Sequence, residues 1–143
     1  MNSKLFSEII QDFEKANTKA ERIETLRKNF SPRFADFLRI AFDKNIVFDV
    51  EVLPYRPSVE PAGLNYMYLQ NELSKLYRFI ANHPNRPATL TPKKQSTLLV
   101  QVLESLHKDE ADLLVRVIKK EFKVPYLTAK LINEAYPGIN LAE

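Results

Sequence analysis

Apolar residues recur at helical spacing in seven separate stretches of the chain. In the first stretch Leu5, Ile9 and Phe13 stand four residues apart, which places them on one face of a helix. Similar spacing returns after each break and predicts seven amphipathic helices around a shared core. The fourth helix is predicted to begin near residue 65 and to end near residue 81. The apolar positions of the seven helices span residues 5–13, 20–26, 34–42, 67–80, 98–106, 113–122 and 129–135.

Hydroxyl-bearing residues mark where several of these helices begin. Thr18 precedes a glutamate by three residues, which is the capping-box pattern. Ser31 and Thr91 each precede a proline, and this combination predicts an N-cap followed by proline at the first helical position. His107 and Thr128 occupy the corresponding places before the sixth and seventh helices. The sixth helix is predicted to end in a basic last turn that contains Lys119, Lys120 and Lys123.

Residues 43–64 interrupt the helical pattern. Apolar and polar residues alternate from 46 to 52, and three prolines follow between 54 and 61, so the segment is predicted to be a long extended loop at about 46–64. Its Pro-rich part could present an extended strip to a partner protein. The favoured interpretation is a strap laid over the helices, with Val52, Leu53 and Tyr55 filling gaps in the core.

Length and composition narrow the class of protein. A chain of 143 residues is expected to form one domain, here an all-α domain of about seven helices over residues 1–143. With 2 Gly and no Cys, the composition argues against a glycine-rich phosphate loop, a thiolate metal site or a cysteine nucleophile. The longest apolar run is far shorter than a membrane span needs, and the first residues are not expected to act as a secretory signal. An intracellular protein is therefore expected.

Residues that could support catalysis are few. His83 lies in a Pro-rich loop and His107 at a predicted helix start, and their spacing does not suit a metal site on one helix face. Asp109, Glu110 and Asp112 form an acidic group at a helix start, where complementing the helix dipole is the favoured role. We therefore expect no enzymatic activity and no cofactor.

Basic residues give the strongest functional indication. The net charge is only +3, but the sequence pI of about 9.1 is at the lower edge of the range for nucleic-acid-binding domains. Residues 116–130 contain five basic side chains and one acidic side chain. Such residues could contact phosphates, or they could simply be solvated helix ends. The candidate nucleic-acid-binding residues are Lys119, Lys120, Lys123, Thr128 and Lys130, flanked by Lys93, Lys94 and Arg22.

Aromatic residues mostly fall at core positions of the predicted helices. Tyr55, Tyr66, Tyr68 and Tyr126 are the ones expected to be free for exposure. Proteins that bind single strands interleave exposed aromatics with basic residues. Because core packing accounts for most aromatics of this chain, the pattern gives single-strand recognition little support.

Several segments resemble a family of small, poorly characterised tailed-phage proteins. The resemblance is carried by Leu103–Leu114, by Asn133–Gly138, by the helix Lys19–Arg27 and by Leu76–Phe79. It covers nearly the whole chain, apart from the loop near 82–92. It implies a phage protein that acts in the cytoplasm of the infected bacterial host.

The same layout resembles the N-terminal helical DNA-binding domain of phage-type ATP-dependent DNA ligases. The resemblance lies in Leu114–Val117, in the basic segment that follows, and in a final helix ending at Tyr136–Gly138. The turn of the ligase domain usually contains glycine, whereas this chain has Val124–Tyr126 there. These 143 residues hold no nucleotidyltransferase domain. The resemblance therefore implies a fold and DNA affinity rather than ligation.

These observations predict a non-enzymatic phage accessory protein that binds duplex DNA through backbone contacts. The alternative is a regulator that binds protein and docks on the transcription or replication machinery, with RNA polymerase or a replication protein as its partner.

Overall fold

The computed structural model describes residues 4–61, 64, 65 and 67–143, and over these residues the fold is all-α. Gly63 and Tyr66 lie outside the described residues. The only β pairing in the described part of the chain is an isolated antiparallel bridge between Phe48 and Ile80. The α-helices are α1 (Phe6–Lys15), α2 (Lys19–Lys28), α3 (Pro32–Phe42), α4 (Leu69–Glu72), α5 (Pro92–Ser105), α6 (Lys108–Ile118) and α7 (Ala129–Ala135), and a 3₁₀ helix spans Leu73–Phe79.

The predicted N-caps are confirmed. The hydroxyl oxygens of Thr18, Ser31, Thr91 and Thr128 each accept a hydrogen bond from the backbone N–H three residues later, at 3.1 to 3.2 Å. His107 caps α6 by accepting from a backbone N–H at 3.1 Å through Nδ1. Each of these bonds satisfies a helical donor that has no partner within its own helix.

Aromatic side chains form the centre of the core. The ring of Phe6 lies 5.3 Å from that of Phe34 and 5.0 Å from that of Phe37, measured between centroids. Phe37 also contacts the ring of Phe122 edge-on at 5.8 Å, which anchors the segment after α6 to α3. Phe13 and Phe79 are likewise fully buried. Most of the periodic apolar positions thus face one core, as the sequence pattern predicts. In α2, however, only Leu26 is buried, and Ala20 is exposed.

Two predicted helices have different bounds in the structure. The prediction of one continuous helix over about 65–81 is wrong, because α4 has only four residues and is followed directly by the 3₁₀ helix Leu73–Phe79. The prediction that the sixth helix continues through Lys119, Lys120 and Lys123 is also wrong, because α6 ends at Ile118. Lys119 and Lys123 therefore do not share a helix face.

The end of α6 is a Schellman motif without glycine. The N–H of Lys120 donates to the carbonyl of Val117 at 3.2 Å, and the N–H of Glu121 donates to the carbonyl of Arg116 at 2.7 Å. Lys120 has a φ of 58° in the left-handed region, where glycine is the usual residue. Because no glycine marks this position, the sequence gives no stop signal there.

Glu110 differs from its predicted role. It is 1% exposed and accepts hydrogen bonds from the backbone N–H groups of Phe6 at 3.2 Å and Ser7 at 2.6 Å. It thereby satisfies the start of α1, a distant helix, rather than merely complementing the dipole of α6. Burial raises the pKa of the Glu110 carboxyl, and the hydrogen bonds to Ser7 and Phe6 partly oppose that shift.

The extended loop is a strap, as favoured from the sequence. Val52 and Tyr55 pack against the core as predicted, whereas the half-buried Leu53 is not part of it. The backbone N–H of Arg56 donates to Glu104 at 2.8 Å. Nearer its start, Asp49 receives two bonds from Nη1 of Arg86 at 2.7 and 2.8 Å. These contacts hold the strap to the 3₁₀–α5 connection and to α5 itself.

Candidate nucleic-acid interface

Three of the predicted site residues line one cavity between α2 and α7. The cavity has a volume of about 290 Å³, and Arg22, Thr128 and Lys130 all lie in its wall. Its other lining residues are Lys19, Tyr126, Leu131 and Glu134. Arg22 and Lys130 are 108 positions apart in the sequence, so only the fold brings them together. We call this cavity the α2–α7 cavity.

Packing between α2 and α7 fixes the walls of this cavity. The buried hydroxyl of Tyr136 donates to the carbonyl oxygen of Leu26 at 2.5 Å, near the end of α2. In return, Nη2 of Arg27 donates to the carbonyl of Glu134 at 3.3 Å, and its Nε donates to that of Ala135 at 3.4 Å. The ends of both helices are therefore satisfied by the neighbouring helix.

The α2–α7 cavity has a positive charge balance. Three cationic side chains, Lys19, Arg22 and Lys130, face one acid, Glu134. Lys19 forms an ion pair with Glu134 at 3.1 Å. Within the described part of the chain, Arg22 and Lys130 have no carboxylate partner. An anion entering the cavity would therefore find two cations that no internal ion pair neutralises.

Tyr126 forms one side of the cavity and was not among the predicted site residues. The guanidinium carbon of Arg22 lies 3.8 Å from the centroid of the Tyr126 ring, in a cation–π stack. The residue is nevertheless 66% exposed. The sequence predicts this exposure, but it does not predict the pairing with a helix more than 100 positions away.

The predicted lysine group follows the end of α6 and is not uniform. Lys119 and Lys123 are exposed and have no ion pair among the described residues. Lys120 instead donates from Nζ to the carbonyl of Asp43 at 3.3 Å and lies 6.0 Å from the ring centroid of Phe48. Desolvation lowers the pKa of the Lys120 amine, and the charge of Asp43 opposes this effect. Lys120 therefore links the α6–α7 connection to the end of α3.

Lys93 and Lys94 belong to a different part of the surface. Both are exposed in the first turn of α5, and their backbone groups bond within that turn to Thr97 and Thr91. Neither lines the α2–α7 cavity. The structure thus unites Arg22, Thr128 and Lys130 but does not place these two lysines with them.

Two larger cavities of about 480 and 450 Å³ also contain arginines, but those arginines are engaged within the protein. In one cavity Arg33 bonds to Asn71, and Arg39 pairs with Asp36 at 3.1 Å. In the other, Arg27 donates to backbone carbonyls of α7. The α2–α7 cavity differs because the guanidinium donors of Arg22 have no hydrogen-bond partner among the described residues.

The histidines have local roles in the described structure. His83 accepts from the N–H of Asn85 at 3.1 Å, as His107 does from the first turn of α6. Among the described residues, no group of three or more histidine, aspartate or glutamate side chains could hold a metal ion. No helix formed by these residues is both long and apolar enough to cross a lipid bilayer.

Comparison with known families places the chain in one of them. The fold and cavity define a small all-α protein with a basic cleft. The chain belongs to the family of unknown function DUF6433, whose model matches residues 9–124. Searches of curated proteins and of solved structures gave no match.

Proposed function

We propose that this chain is a non-enzymatic accessory protein of a tailed phage that binds duplex DNA through backbone contacts in the cytoplasm of the infected host. The observation that carries the proposal is the convergence of Arg22 and Lys130, without carboxylate partners, on one cavity. Cations of this kind bind phosphates and release condensed counterions. The resemblance to the ligase DNA-binding domain supports the same function.

The connection between α6 and α7 extends the proposed surface. Lys119 and Lys123 are exposed in this connection, Tyr126 lies in the same connection, and Lys130 lies in the first turn of α7; the last two line the cavity. In this proposal the duplex contacts Lys119 and Lys123 in addition to the cations of the cavity. Phe122, packed edge-on against Phe37 at 5.8 Å, holds this connection in place. A pre-ordered loop loses little conformational entropy on binding.

The test is a titration of labelled duplex DNA across a salt series, with two charge-matched double variants. Lys119→Ala/Lys123→Ala removes two charges from the proposed surface. Arg56→Ala/Lys108→Ala removes two charges near the opposite end of α6, a helix of 11 residues that is about 16 Å long. The first variant should reduce the slope of log K against log salt by about 2, because each phosphate contact contributes about 0.9. The control should retain the wild-type slope.

Two results would contradict the proposal. Wild-type protein that shows no binding at low salt would refute DNA binding altogether. Equal losses of slope in the two double variants would show that net charge, rather than this surface, governs the interaction.

A second candidate function is docking on the transcription or replication machinery. The strap favours it, because Val59 is 94% exposed at its Pro-rich part. Binding to purified bacterial RNA polymerase in nuclease-treated samples, lost in Val59→Asp, would support this candidate. Retention of binding in that variant would exclude the strap as the contact.

A further inference from the structure

The turn that carries Tyr126 has a residue that its backbone geometry disfavours. The N–H of Leu127 donates to the carbonyl of Val124 at 3.0 Å, which closes a four-residue turn. Pro125 occupies the second position, and Tyr126, at the third, has a φ of 68°. These are the features of a type II turn, in which the third position favours glycine or asparagine. A tyrosine at this position is strained relative to glycine.

Core packing does not account for this tyrosine. The neighbours Val124 and Leu127 are buried and anchor the turn, whereas Tyr126 is 66% exposed. Phe122, also in this connection, packs on Phe37. The fold would thus be served by a smaller residue at position 126, since the ring contributes little buried area. An exposed aromatic ring held in a strained conformation indicates a role in recognition.

Arg22 adds an independent feature to the same place. Its guanidinium stacks on the Tyr126 ring at 3.8 Å, which orients the ring and leaves the guanidinium donors without a hydrogen-bond partner in the described part of the chain. Lys130, without an ion pair there, lines the same cavity. Arg22 covers one face of the ring, and the ring is still 66% exposed. Its other face and the two cations without carboxylate partners have the chemistry that a nucleotide requires: a surface for the base and donors for the phosphate.

We propose that the α2–α7 cavity binds one unpaired nucleotide of a DNA strand, with its base stacked on the face of the Tyr126 ring opposite Arg22 and its phosphate bound by Arg22 and Lys130. This inference rests on the proposed function and specifies its substrate. Stacking within the cavity requires a base that is unpaired and has a free face. Internal bases of a duplex are covered on both faces, and the terminal bases of a blunt duplex remain paired. The protein should therefore prefer duplexes that end in a short single strand over blunt duplexes.

The experiment compares a blunt duplex with the same duplex carrying a short single-stranded overhang, by fluorescence anisotropy at one low salt concentration. Wild-type protein should bind the overhang DNA at least about 5-fold more tightly, the lower end of what one stacked base provides. Tyr126→Gly suits the positive φ, so the fold should be retained, and this variant should lose the preference while still binding blunt duplex. Tyr126→Phe should keep the preference.

Phe30→Ala serves as a matched control, because Phe30 is another exposed aromatic, 54% accessible, outside the cavity. It should keep the wild-type preference. Equal wild-type affinity for the two DNAs would overturn this inference and leave the proposed function standing. A preference that survives in Tyr126→Gly would overturn the assignment to Tyr126. Failure of the wild-type protein to bind either DNA would refute the proposed function and this inference together.

Discussion

The hydroxyl of Tyr136 is expected to contribute measurably to the stability of the fold. It donates to the carbonyl of Leu26 at 2.5 Å, and that carbonyl is one of those at the end of α2 that have no partner within the helix. Tyr136 is 7% exposed, so water cannot readily replace the bond. Tyr136→Phe keeps the ring, which lies 5.0 Å from that of Phe30, and removes only the donor.

An unsatisfied buried acceptor costs about 1–3 kcal/mol in the free energy of unfolding. For a chain of this length, about 3 °C in Tm corresponds to 1 kcal/mol, so Tyr136→Phe should lower Tm by about 3–10 °C. Thermal unfolding followed by circular dichroism measures this shift. Tyr126→Phe is the matched control, because the Tyr126 hydroxyl has no hydrogen bond among the described residues, and it should leave Tm unchanged. Equal Tm values for wild type and Tyr136→Phe would refute the reasoning.

Three further predictions concern stability. The pKa of the Glu110 carboxyl is raised in the folded state. The free energy of unfolding of the wild type should therefore fall as the pH rises from the ordinary carboxyl pKa through the raised value. Glu110→Gln should lose this pH dependence, and its amide oxygen still offers an acceptor for the N–H of Phe6. Urea unfolding of both proteins from about pH 4 to about pH 8 measures the difference, and a pH-independent difference would contradict the assignment. Arg86→Ala removes two hydrogen bonds to Asp49 and should lower the free energy of unfolding by about 1–2 kcal/mol. The backbone amides of the strap should then exchange faster with solvent. Unchanged amide exchange would contradict the dependence of the strap on this pair. Phe37→Ala, at a residue 1% exposed, should cost about 3–5 kcal/mol in urea unfolding, and a loss below 1 kcal/mol would contradict its central place in the core.

Features of the fold that depend on neighbouring residues could be predicted from the sequence. The caps at Thr18, Ser31, Thr91 and Thr128 depend on residues at most three positions away, and they occur as predicted. The apolar periodicity likewise specifies which faces form the core. The strap follows from its prolines, which disfavour helix in the residues before them.

Features that depend on distant residues or unusual backbone conformations could not be predicted in this way. Lys120 ends α6 in a conformation that glycine usually supplies, so the helix looked longer in the sequence. Glu110 accepts hydrogen bonds from backbone N–H groups at the start of α1, more than 100 positions away, and no local sequence pattern predicts these bonds. The stack of Arg22 on Tyr126 likewise requires the packing of α2 on α7. The sequence therefore indicated the types of residue in the site, but their grouping required the tertiary structure.

Wild-type affinity for duplex DNA as a function of salt tests the central claim most directly. Arg22, Lys130, Lys119 and Lys123 are the proposed phosphate contacts. Engagement of at least three of them gives a slope of log K against log salt of about −2.7 or steeper, since each contact contributes about −0.9. We expect a linear decline with that slope. Binding that does not change with salt, or no binding at the lowest salt concentration, would contradict it.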